Sequence, residues 1–352
     1  MSGGVDSSVA AARCVARGLD TFGITLAMWP RDRDIERDRG CCSIDAVEDA
    51  RRVATTLGIA HYTWNLEDEF QEQVIADFTT GYAGGRTPNP CVRCNERVKF
   101  GVLLDRAIAA GATHVATGHH ARMGRRAGRF TLHRSLDRRK DQAYTLHRLS
   151  QAQLKHAAFP LGVFADKAAV RAEATRLGLG TAAKPDSQEL CFVADTLVAE
   201  LETRLRGRFR PGPIVDRSGE VVGEHRGLPF YTVGQRSRLG LAPDRADSAP
   251  FFVLSLDVAA NAVLVGPREA LLRDEVLADE CTWISSPPGV GTSCTVQLRA
   301  HGIASPATVL EAGASSLRVR CAPRVSQVSP GQAVVVYDGD EVLGGGIVGG
   351  SR

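Results

Sequence analysis

The sequence lacks the features of membrane and secreted proteins. No apolar run approaches the ~20 residues of a membrane-spanning helix, and the first residues do not show a charged-then-apolar leader pattern. The nine cysteines are odd in number and lack the spacing of a small disulfide scaffold. We therefore expect a cytoplasmic protein with no membrane partner, whose thiols serve as packing, metal ligands or reactive groups. Lysine is scarce too, since only five of the 43 basic residues are lysine, a bias that genomic base composition can produce.

A glycine- and serine-rich run, Ser2–Ser8, precedes a segment of helical character at Val9–Arg17. The first N–H groups of a helix have no partner within the helix, and the helix dipole is positive there, so such a turn can bind an anion. The glycines let the backbone approach a phosphate, and the serine hydroxyls add donors. No Gly-Lys-Ser/Thr follows, which excludes the common nucleotide P-loop, and a tight turn before an ordinary capped helix is the simpler alternative.

The complete run is more specific than a generic Gly-Gly turn. It resembles the pyrophosphate-binding loop of ATP pyrophosphatases (the PP-loop superfamily), enzymes that adenylate a substrate carbonyl and release pyrophosphate. The resemblance assigns ATP binding to Ser2, Gly3, Gly4, Val5, Asp6, Ser7 and Ser8.

Short apolar runs alternate with helical segments up to about residue 200, which predicts an α/β domain with a doubly wound parallel sheet. Ligands of such sheets bind at the carboxyl ends of the strands. Leu26 and Gly118 lie near two of these ends, so we expect both beside the ATP loop. Later, short alternating runs between Pro and Gly turns predict small β-rich domains. The predicted domains are 1–202, 203–274 and 275–352.

Three cysteines stand in polar surroundings. Cys91 and Cys94 form a Cys-x-x-Cys pair in a proline-braced loop, and Cys191 follows much later. Arg93 and a helix expected after Asn95 would lower the pKa of the Cys94 thiol. The pair also fits a redox dithiol or zinc, but zinc needs a second pair, and two adjacent cysteines do not supply it. That adjacent pair is Cys41 and Cys42, and the cysteines expected to be buried packing are Cys14, Cys281, Cys294 and Cys321.

Eight motifs occur in order along the whole chain, and together they resemble those of the tRNA-specific 2-thiouridylases. They are SGGVDSS, GCCSIDAVEDARRVATTLGI, TPNPCVRCNERVKFG, ATGHHAR, KDQAYTL, KPDSQELCFV, YTVGQR and PGQAVVVYDGDEVLGGGIV. The resemblance implies an adenine-nucleotide alpha-hydrolase-like first domain and a last domain that is a β-barrel. It implies that Cys94 is the nucleophile and that Cys191 carries a persulfide. It also places Asn89, Pro90 and Cys91 at the target base, and tRNA contacts at His119, Lys140, Asp141, Gln142, Arg299, Ala300 and Gln332.

That family thiolates the wobble uridine of tRNA, so the resemblance implies ATP, Mg²⁺, tRNA, a persulfide-donor protein and a reductant. Asp6 is expected to help hold the Mg²⁺. An iron–sulfur cluster on Cys91, Cys94 and Cys191 is a variant that we do not expect. Some positions depart from the family pattern and bear on tRNA contacts rather than on chemistry. They are Cys91 where Asp is frequent, His120 where Tyr is usual, the run Gln235–Gly240, and Arg299-Ala300-His301.

Two arginine-rich stretches stand out. A charge run alone favours a solvated face, but beside an ATP site and a thiolation motif it favours a track for the phosphate backbone of tRNA. The stretches comprise Arg122, Arg125, Arg126, Arg129, Arg134, Arg138, Arg139 and Lys140, and then Arg204, Arg206, Arg208 and Arg210.

Two alternatives keep parts of this interpretation. One is an amidotransferase-type synthetase, such as those that make GMP or NAD, and the Cys pair and the β domains speak against it. The other is an RNA-binding protein with a vestigial ATP site, and the intact loop speaks against that.

Because the loop begins at Ser2, no residues precede it to form the central strand from which such a loop hangs. We expect roughly ten further residues upstream in the native protein, enough for one strand, and an unfilled central position without them.

Overall fold

The computed structural model of the chain describes residues 1–28, 44–186, 190–193, 195–241, 250–326 and 328–349. Cys41 and Cys42, and also Ser187, Gln188 and Glu189 before Cys191, lie outside the described residues. The contacts divide the chain into two compact units. One comprises Met1–Val74, Cys91–Ala194 and Asp340–Val342, and the other comprises Ile75–Pro90, Asp195–Gly339 and Leu343–Arg352.

Helices and short strands alternate in the N-terminal half. In chain order they are α1 (Val5–Ala16), β1 (Gly23–Ala27), α2 (Ile44–Leu57), β2 (His61–Asn65), α3 (Glu67–Phe70), a π-helical turn (Gln71–Ile75), α4 (Ala76–Ala83), α5 (Pro90–Arg93), a π-helical segment (Cys94–Val102), α6 (Leu103–Ala109), β3 (Val115–Ala116), β4 (Ala121–Arg126), β5 (Arg129–Arg134), a 3-10 turn (Ala143–Leu146), α7 (Gln151–Lys155), β6 (Ala157–Ala158) and α8 (Lys167–Arg176).

Two parallel strand pairs and the helix α1 position the N-terminal run. Strand β1 pairs with β2, and β3 pairs with β6, both in parallel, and the described residues form them as two separate sheets. Helix α1 has apolar residues on several sides, and these residues pack against both α2 and α8. Their core partners include Val53, Val170 and Ala174. Burial against two helices fixes the orientation of α1, and therefore of the turn that enters it.

The second unit is rich in strands. The remaining elements are α9 (Leu197–Arg204), β7 (Gly212–Val215), β8 (Val221–His225), a 3-10 turn (Leu228–Phe230), β9 (Phe252–Asp257), β10 (Ala262–Gly266), a 3-10 turn (Arg268–Leu271), β11 (Arg273–Trp283), β12 (Ser293–Gln297), β13 (Ser305–Ala312), β14 (Leu317–Val325), β15 (Ala333–Asp338) and β16 (Glu341–Val348).

Strands β8, β7, β10 and β9 form one sheet in that order. Six further strands follow the order β11, β14, β13, β12, β15 and β16, and β11 also pairs with β16, so this sheet closes into a barrel. Closure leaves no strand edge exposed, which suits the regular turns and alternating runs of the sequence. The predicted fold class is confirmed: an α/β domain precedes two β-rich domains, and the last is a barrel.

The interior of the barrel explains three cysteines. Cys281, Cys294 and Cys321 lie among valines in its core, and each is at most 8% exposed. Burial raises the pKa of both Cys294 and Cys321 to about 11, so they stay neutral. Cys14 is buried in α1, and burial raises the pKa of its thiol too. All four behave as small hydrophobic residues, as the sequence predicts.

Candidate active site

The phosphate loop consists of a short turn and the first turn of α1. The helix begins at Val5, four residues earlier than the sequence predicts. The hydroxyls of Ser7 and Ser8 donate to the Gly4 carbonyl at 3.1 and 2.8 Å, and the Ser2 backbone N–H donates to the Ser7 hydroxyl at 3.0 Å. These bonds hold the turn against the helix. The N–H groups that open a helix are the ones that bind anions.

Two glycines let other segments approach this loop. Gly3 has a φ of +64°, and a Cβ there would overlap the Ala46 carbonyl of α2. Gly118 follows β3, and a Cβ there would lie 2.7 Å from the backbone carbon of Asp6 and from the backbone nitrogen of Ser7. The structure therefore brings Gly118 against the loop, and its role in ATP binding stays a prediction.

Leu26 lies on β1 and pairs with Trp64 of β2. The same strand binds the first residue of the chain, since the Met1 amino group donates to the Ile24 carbonyl and the Thr25 hydroxyl donates to the Met1 carbonyl at 2.7 Å. Leu26 thus adjoins the start of the loop through its neighbour Thr25. Its role in ATP binding stays a prediction.

Asp6 is the most heavily engaged side chain of the loop. Both of its carboxylate oxygens lie 2.7 Å from the Lys167 ammonium, and one lies 3.2 Å from Nε2 of the buried His120. Burial raises the pKa of Asp6, but the hydrogen bonds from His120 and Lys167 outweigh burial and lower it below its usual value. The carboxylate therefore stays ionised. Sequence reasoning missed Lys167, for which the scarcity of lysine was the available signal.

The Asp6 contacts bear on where Mg²⁺ can bind. Protein-bound Mg²⁺ typically takes one or two carboxylates together with phosphate oxygens and water. Asp6 fits that role once Lys167 releases it, because the ammonium contacts both oxygens. Among the described residues, no group of three or more His, Cys, Asp or Glu side chains could hold a metal ion. A magnesium ion at this loop would therefore depend mainly on phosphate oxygens and water.

Lys167 also joins the loop to a second carboxylate. Its ammonium lies 3.0 Å from Asp186, which accepts further contacts from Lys140 at 2.8 Å and from Arg171 at 2.9 Å. Burial raises the pKa of Asp186, but the hydrogen bonds from Lys140 and Lys167 outweigh it and lower the pKa to about 2. Asp186 begins the run that leads to Cys191.

The Cys-x-x-Cys pair lies at the start of a continuous helical segment. That segment begins at Pro90, a residue type favoured at the first helical position, and not after Asn95 as predicted. The helix dipole acts mainly on the first turn, which holds the exposed Cys91 rather than Cys94. Cys94 is only 6% exposed, and the neighbouring Arg93 shares its charge with Glu96 at 3.2 Å.

The π-helical segment that Cys94 opens is held by amide side chains. Gln153 donates to the carbonyls of Glu96 and Phe100 at 2.9 and 2.8 Å. The buried Asn95 donates to the Thr145 carbonyl at 3.2 Å. Such π segments occur often at functional sites. The hydrogen bonds from Gln153 and Asn95 fix the backbone beside Cys94, the predicted nucleophile.

Cys191 is half-buried and belongs to the same compact unit as Cys94. The next residue, Phe192, is 4% exposed and packs edge-to-face on Phe70, with ring centroids 6.3 Å apart. The Cys191 segment is therefore anchored just after the cysteine by an aromatic pair. The roles predicted for Cys94 and Cys191 stay predictions.

The predicted tRNA-contact triplet mostly makes internal contacts. The Asp141 carboxylate accepts from the backbone N–H of Ser135 at 2.8 Å, and burial raises its pKa. The Gln142 side chain accepts from the backbone N–H of His120 at 2.9 Å. Lys140 contacts Asp186, as described above. These side chains shape the turn beside Asp6, so contact with tRNA would be an additional role.

His119 packs between Phe100 and Phe159, and its ring bonds to the Thr117 hydroxyl at 2.8 Å. Burial lowers the pKa of His119 well below its usual value, and the charge of Lys99 adds to this. A contact from His119 to RNA would therefore come from a neutral ring.

In the second unit, Gln332 forms a hydrogen bond with Thr87, which precedes the cysteine pair in the sequence. Its amide donates to the Thr87 carbonyl at 2.7 Å, and the Thr87 N–H donates to the Pro330 carbonyl at 2.7 Å. Asn89 is partly buried and Pro90 is buried. The Gln297 amide donates to the carbonyls of Arg299 and Ala300, both at 2.9 Å, and so fixes that predicted contact turn.

Carboxylates neutralise much of the first arginine-rich stretch. Arg122 and Arg138 both pair with Asp340, and Arg126 pairs with Glu341 at 2.6 Å. Further pairs are Arg134–Asp141 and Arg139–Asp137, and Arg125 lies over the Phe130 ring. This pairing favours a structural role for the stretch over an open phosphate track. In the second stretch, Arg204 pairs with Glu200 at 2.5 Å, whereas Arg206, Arg208 and Arg210 are exposed.

The described helices include none that is both long enough and apolar enough to span a membrane.

Together, the phosphate loop and the fold define an α/β nucleotide-binding domain of the PP-loop class followed by β-rich domains. Family models match the same layout: a tRNA methyl transferase HUP domain at residues 1–195, a tRNA methyl transferase PRC-barrel domain at 201–267 and an aminomethyltransferase beta-barrel domain at 273–348.

Curated relatives named tRNA-specific 2-thiouridylase MnmA match nearly the whole chain. The protein from Heliobacterium modesticaldum is 47% identical over 355 residues, which cover 99% of this chain and 91% of the relative. The one from Beutenbergia cavernae is 48% identical, with coverage of 98% and 92%, and the one from Acidothermus cellulolyticus is 46% identical, with 100% and 97%. The chain belongs to the tRNA-specific 2-thiouridylase family.

Proposed function

We propose that this protein uses ATP to replace the C2 oxygen of the wobble uridine of tRNA with sulfur. The observation that carries the proposal is the phosphate loop, in which Gly3 and Gly118 bring two segments against the first turn of α1. Cys94 and Cys191, from distant parts of the chain, belong to the same compact unit as this loop. Family membership supports the same activity.

The first step activates a poor electrophile. Transfer of AMP to the C2 oxygen of uridine releases pyrophosphate and turns that oxygen into a leaving group. The N–H groups of the first turn of α1 and the serine hydroxyls hold the β- and γ-phosphates. Lys167 adds a positive charge beside them. Mg²⁺, when bound, supplies further charge compensation for the phosphates.

The second step moves sulfur. The terminal sulfur of a Cys191 persulfide attacks C2, and AMP leaves with the former C2 oxygen, so that two sulfurs join C2 to Cys191. The Cys94 thiolate attacks Sγ of Cys191, and the electron pair of the broken S–S bond goes to the transferred sulfur. This releases 2-thiouridine and leaves a Cys94–Cys191 disulfide. In a variant order, Cys94 attacks the persulfide first and frees HS⁻, which then attacks C2.

Both orders need outside partners. A protein that carries a persulfide must load Cys191, and two electrons from an external reductant must reduce the disulfide. The uridine must also leave its stack to reach the cysteines, as bases do in other base-modifying enzymes. Asn89, Pro90 and Cys91 are the residues that would face it. Six of the seven predicted contact residues would hold the tRNA, and Gln332 would act by holding Thr87.

Pyrophosphate release, measured with and without tRNA, tests the proposal. We expect release that depends on tRNA and that accompanies the appearance of 2-thiouridine. Release without tRNA would instead indicate a GMP- or NAD-synthetase-like enzyme. Tight tRNA binding without any release would indicate an RNA-binding protein with a vestigial site. A brown protein after anaerobic purification would favour the iron–sulfur variant.

Cysteine variants test the sulfur step separately. Cys94→Ser and Cys191→Ser should each abolish thiolation and leave ATP affinity unchanged, because neither residue belongs to the phosphate loop. Cys91→Ser is the matched control from the same motif and should retain most of the activity. The assignment of the nucleophile is wrong if Cys91→Ser is inactive and Cys94→Ser is active.

A further inference from the structure

One carboxylate, Asp186, joins three segments of the first unit. Its oxygens contact Lys140 at 2.8 Å, Lys167 at 3.0 Å and Arg171 at 2.9 Å, and its side chain is only 19% exposed. Lys167 in turn contacts both oxygens of Asp6 in the phosphate loop. A chain of ion pairs therefore runs from the loop to Asp186.

The positions of these residues along the chain show which parts of the first unit the ion pairs connect. Asp186 lies five residues before Cys191, Lys140 precedes the turn that contacts His120, and Lys167 is the first residue of α8. Phe192 fixes the other side of Cys191 against Phe70. Of the described residues on either side of Cys191, Phe192 makes an apolar contact and Asp186 forms ion pairs, and the ion pairs reach the phosphate loop through Lys167.

The charges of the cluster do not balance. Two carboxylates, Asp6 and Asp186, face three cations, Lys140, Lys167 and Arg171. A pyrophosphate group bound at the first turn of α1 would compete with Asp6 for Lys167. A lysine ammonium is a compact charge on a flexible stem, which suits an exchange of partners better than the fixed fork of an arginine does. Lysine occurs here although the chain strongly favours arginine.

We propose that Asp186 is a positioning residue that couples the phosphate loop to the Cys191 segment, a proposal that rests on the proposed function. With the loop free of nucleotide, Lys167 bridges Asp6 and Asp186. When phosphate takes Lys167, Asp186 keeps Lys140 and Arg171, and the hold on the Cys191 segment changes. Sulfur transfer is thereby linked to nucleotide occupancy, without Asp186 touching the reacting atoms.

The test reads the Cys191 segment directly. Full-length protein is alkylated with iodoacetamide with and without ATP, in the absence of tRNA, and modification of Cys191 relative to Cys94 is measured by mass spectrometry. In the wild type, ATP should change this ratio at least about twofold. In Asp186→Asn the ratio should no longer respond, and thiolation should fall by about tenfold, more than pyrophosphate release does, since a hydrogen bond between charged groups is lost.

Three further variants sharpen the test. Asp186→Glu keeps the charge and should restore most of the response, which a merely structural defect would not predict. Glu173→Gln removes a partly buried carboxylate from α8 that contacts neither Asp6 nor Asp186, and it should behave as the wild type. If Asp186→Asn does not fold, Lys140→Gln replaces it and should reduce the response by at least half.

The outcomes separate the two proposals. An ATP response that persists in Asp186→Asn, or that is absent from the wild type, overturns the coupling. Failure of tRNA to elicit pyrophosphate release from the wild type would overturn the proposed function. The alkylation ratio needs no tRNA and would still report on Asp186.

Discussion

Gly118→Ala tests the geometry of the phosphate loop without changing any charge. The added methyl would lie 2.7 Å from two backbone atoms, the carbon of Asp6 and the nitrogen of Ser7. Carbon contacts are normally at ~3.5–4.0 Å, so the loop would have to move by about 1 Å. Overpacking of this kind costs ~1–3 kcal/mol. Because the displaced N–H groups are those expected to hold phosphate, ATP affinity should fall about ten- to hundredfold.

Isothermal titration of ATP into both proteins measures this loss, and thermal melting shows whether the variant folds. Gly180→Ala is the matched control, because a Cβ there meets nothing within 4 Å. It should bind ATP as the wild type does. A folded Gly118→Ala protein whose ATP affinity lies within twofold of the wild type would refute the placement of Gly118 against the loop.

Three other predictions follow from the contacts. Neutralising Arg138, Arg139 and Lys140 together should reduce the slope of log K for tRNA binding against log salt concentration by well under the ~1 expected for each lost phosphate contact, because carboxylates already pair with these residues. A reduction near ~1 per residue in a salt titration would instead favour a phosphate track on this stretch. Gln332→Ala should slow thiolation about tenfold and leave the tRNA Kd within twofold, since its amide holds Thr87; a filter-binding assay that shows mainly lost affinity would argue for direct tRNA contact. The ion pairs that lower the pKa of Asp186 to about 2 stabilise the fold while Asp186 is ionised, and this stabilisation is lost as the pH falls towards 2. Asp186→Asn should therefore lower the free energy of unfolding by about 1 kcal/mol at neutral pH after allowance for solvent screening, and by less in melts between pH 4 and 2. A difference that stays constant with pH would contradict the ion pairs.

Local patterns were sufficient to predict much of the fold. Glycine and serine in the N-terminal run indicated the phosphate loop, and alternation of apolar runs with turns indicated the β-rich domains. Each of these signals lies within about ten residues, where backbone preference and side-chain period act directly. The buried cysteines could be predicted from the residue type alone, because a free cysteine usually packs as a small hydrophobic residue.

Helix starts were predicted less well. The helix α1 begins at Val5, and the Ser7 and Ser8 hydroxyls bond back to Gly4; an apolar pattern beginning at Val9 does not reveal this start. The helical segment with Cys94 begins at Pro90 because proline is compatible with the first helical position. Proline was interpreted as bracing a loop, although the same residue can open a helix.

Contacts between distant residues left no local signal. Asp6 and Lys167 are separated by 161 residues, and Arg122 and Asp340 by 218. A run of arginines resembles an open basic surface when some of the carboxylates that pair with it, here Asp340 and Glu341, come from the far end of the chain. The free positive charge of that stretch was therefore overestimated from the sequence, and Lys167, which contacts the phosphate loop, was missed.

Lysines and arginines take partly different partners in this protein, although Arg171 shares Asp186 with two lysines. Arginines form the paired stretch around Asp340, where a planar fork of donors suits a fixed carboxylate partner. Lysines 140, 167 and 184 instead contact Asp186, Asp6 and Asp49, three carboxylates of the unit that holds the phosphate loop. Of these three lysines, Lys167 contacts the phosphate loop itself, where a compact charge on a flexible stem suits a phosphate that arrives and leaves. Base composition explains the abundance of arginine but not the positions from which arginine is absent.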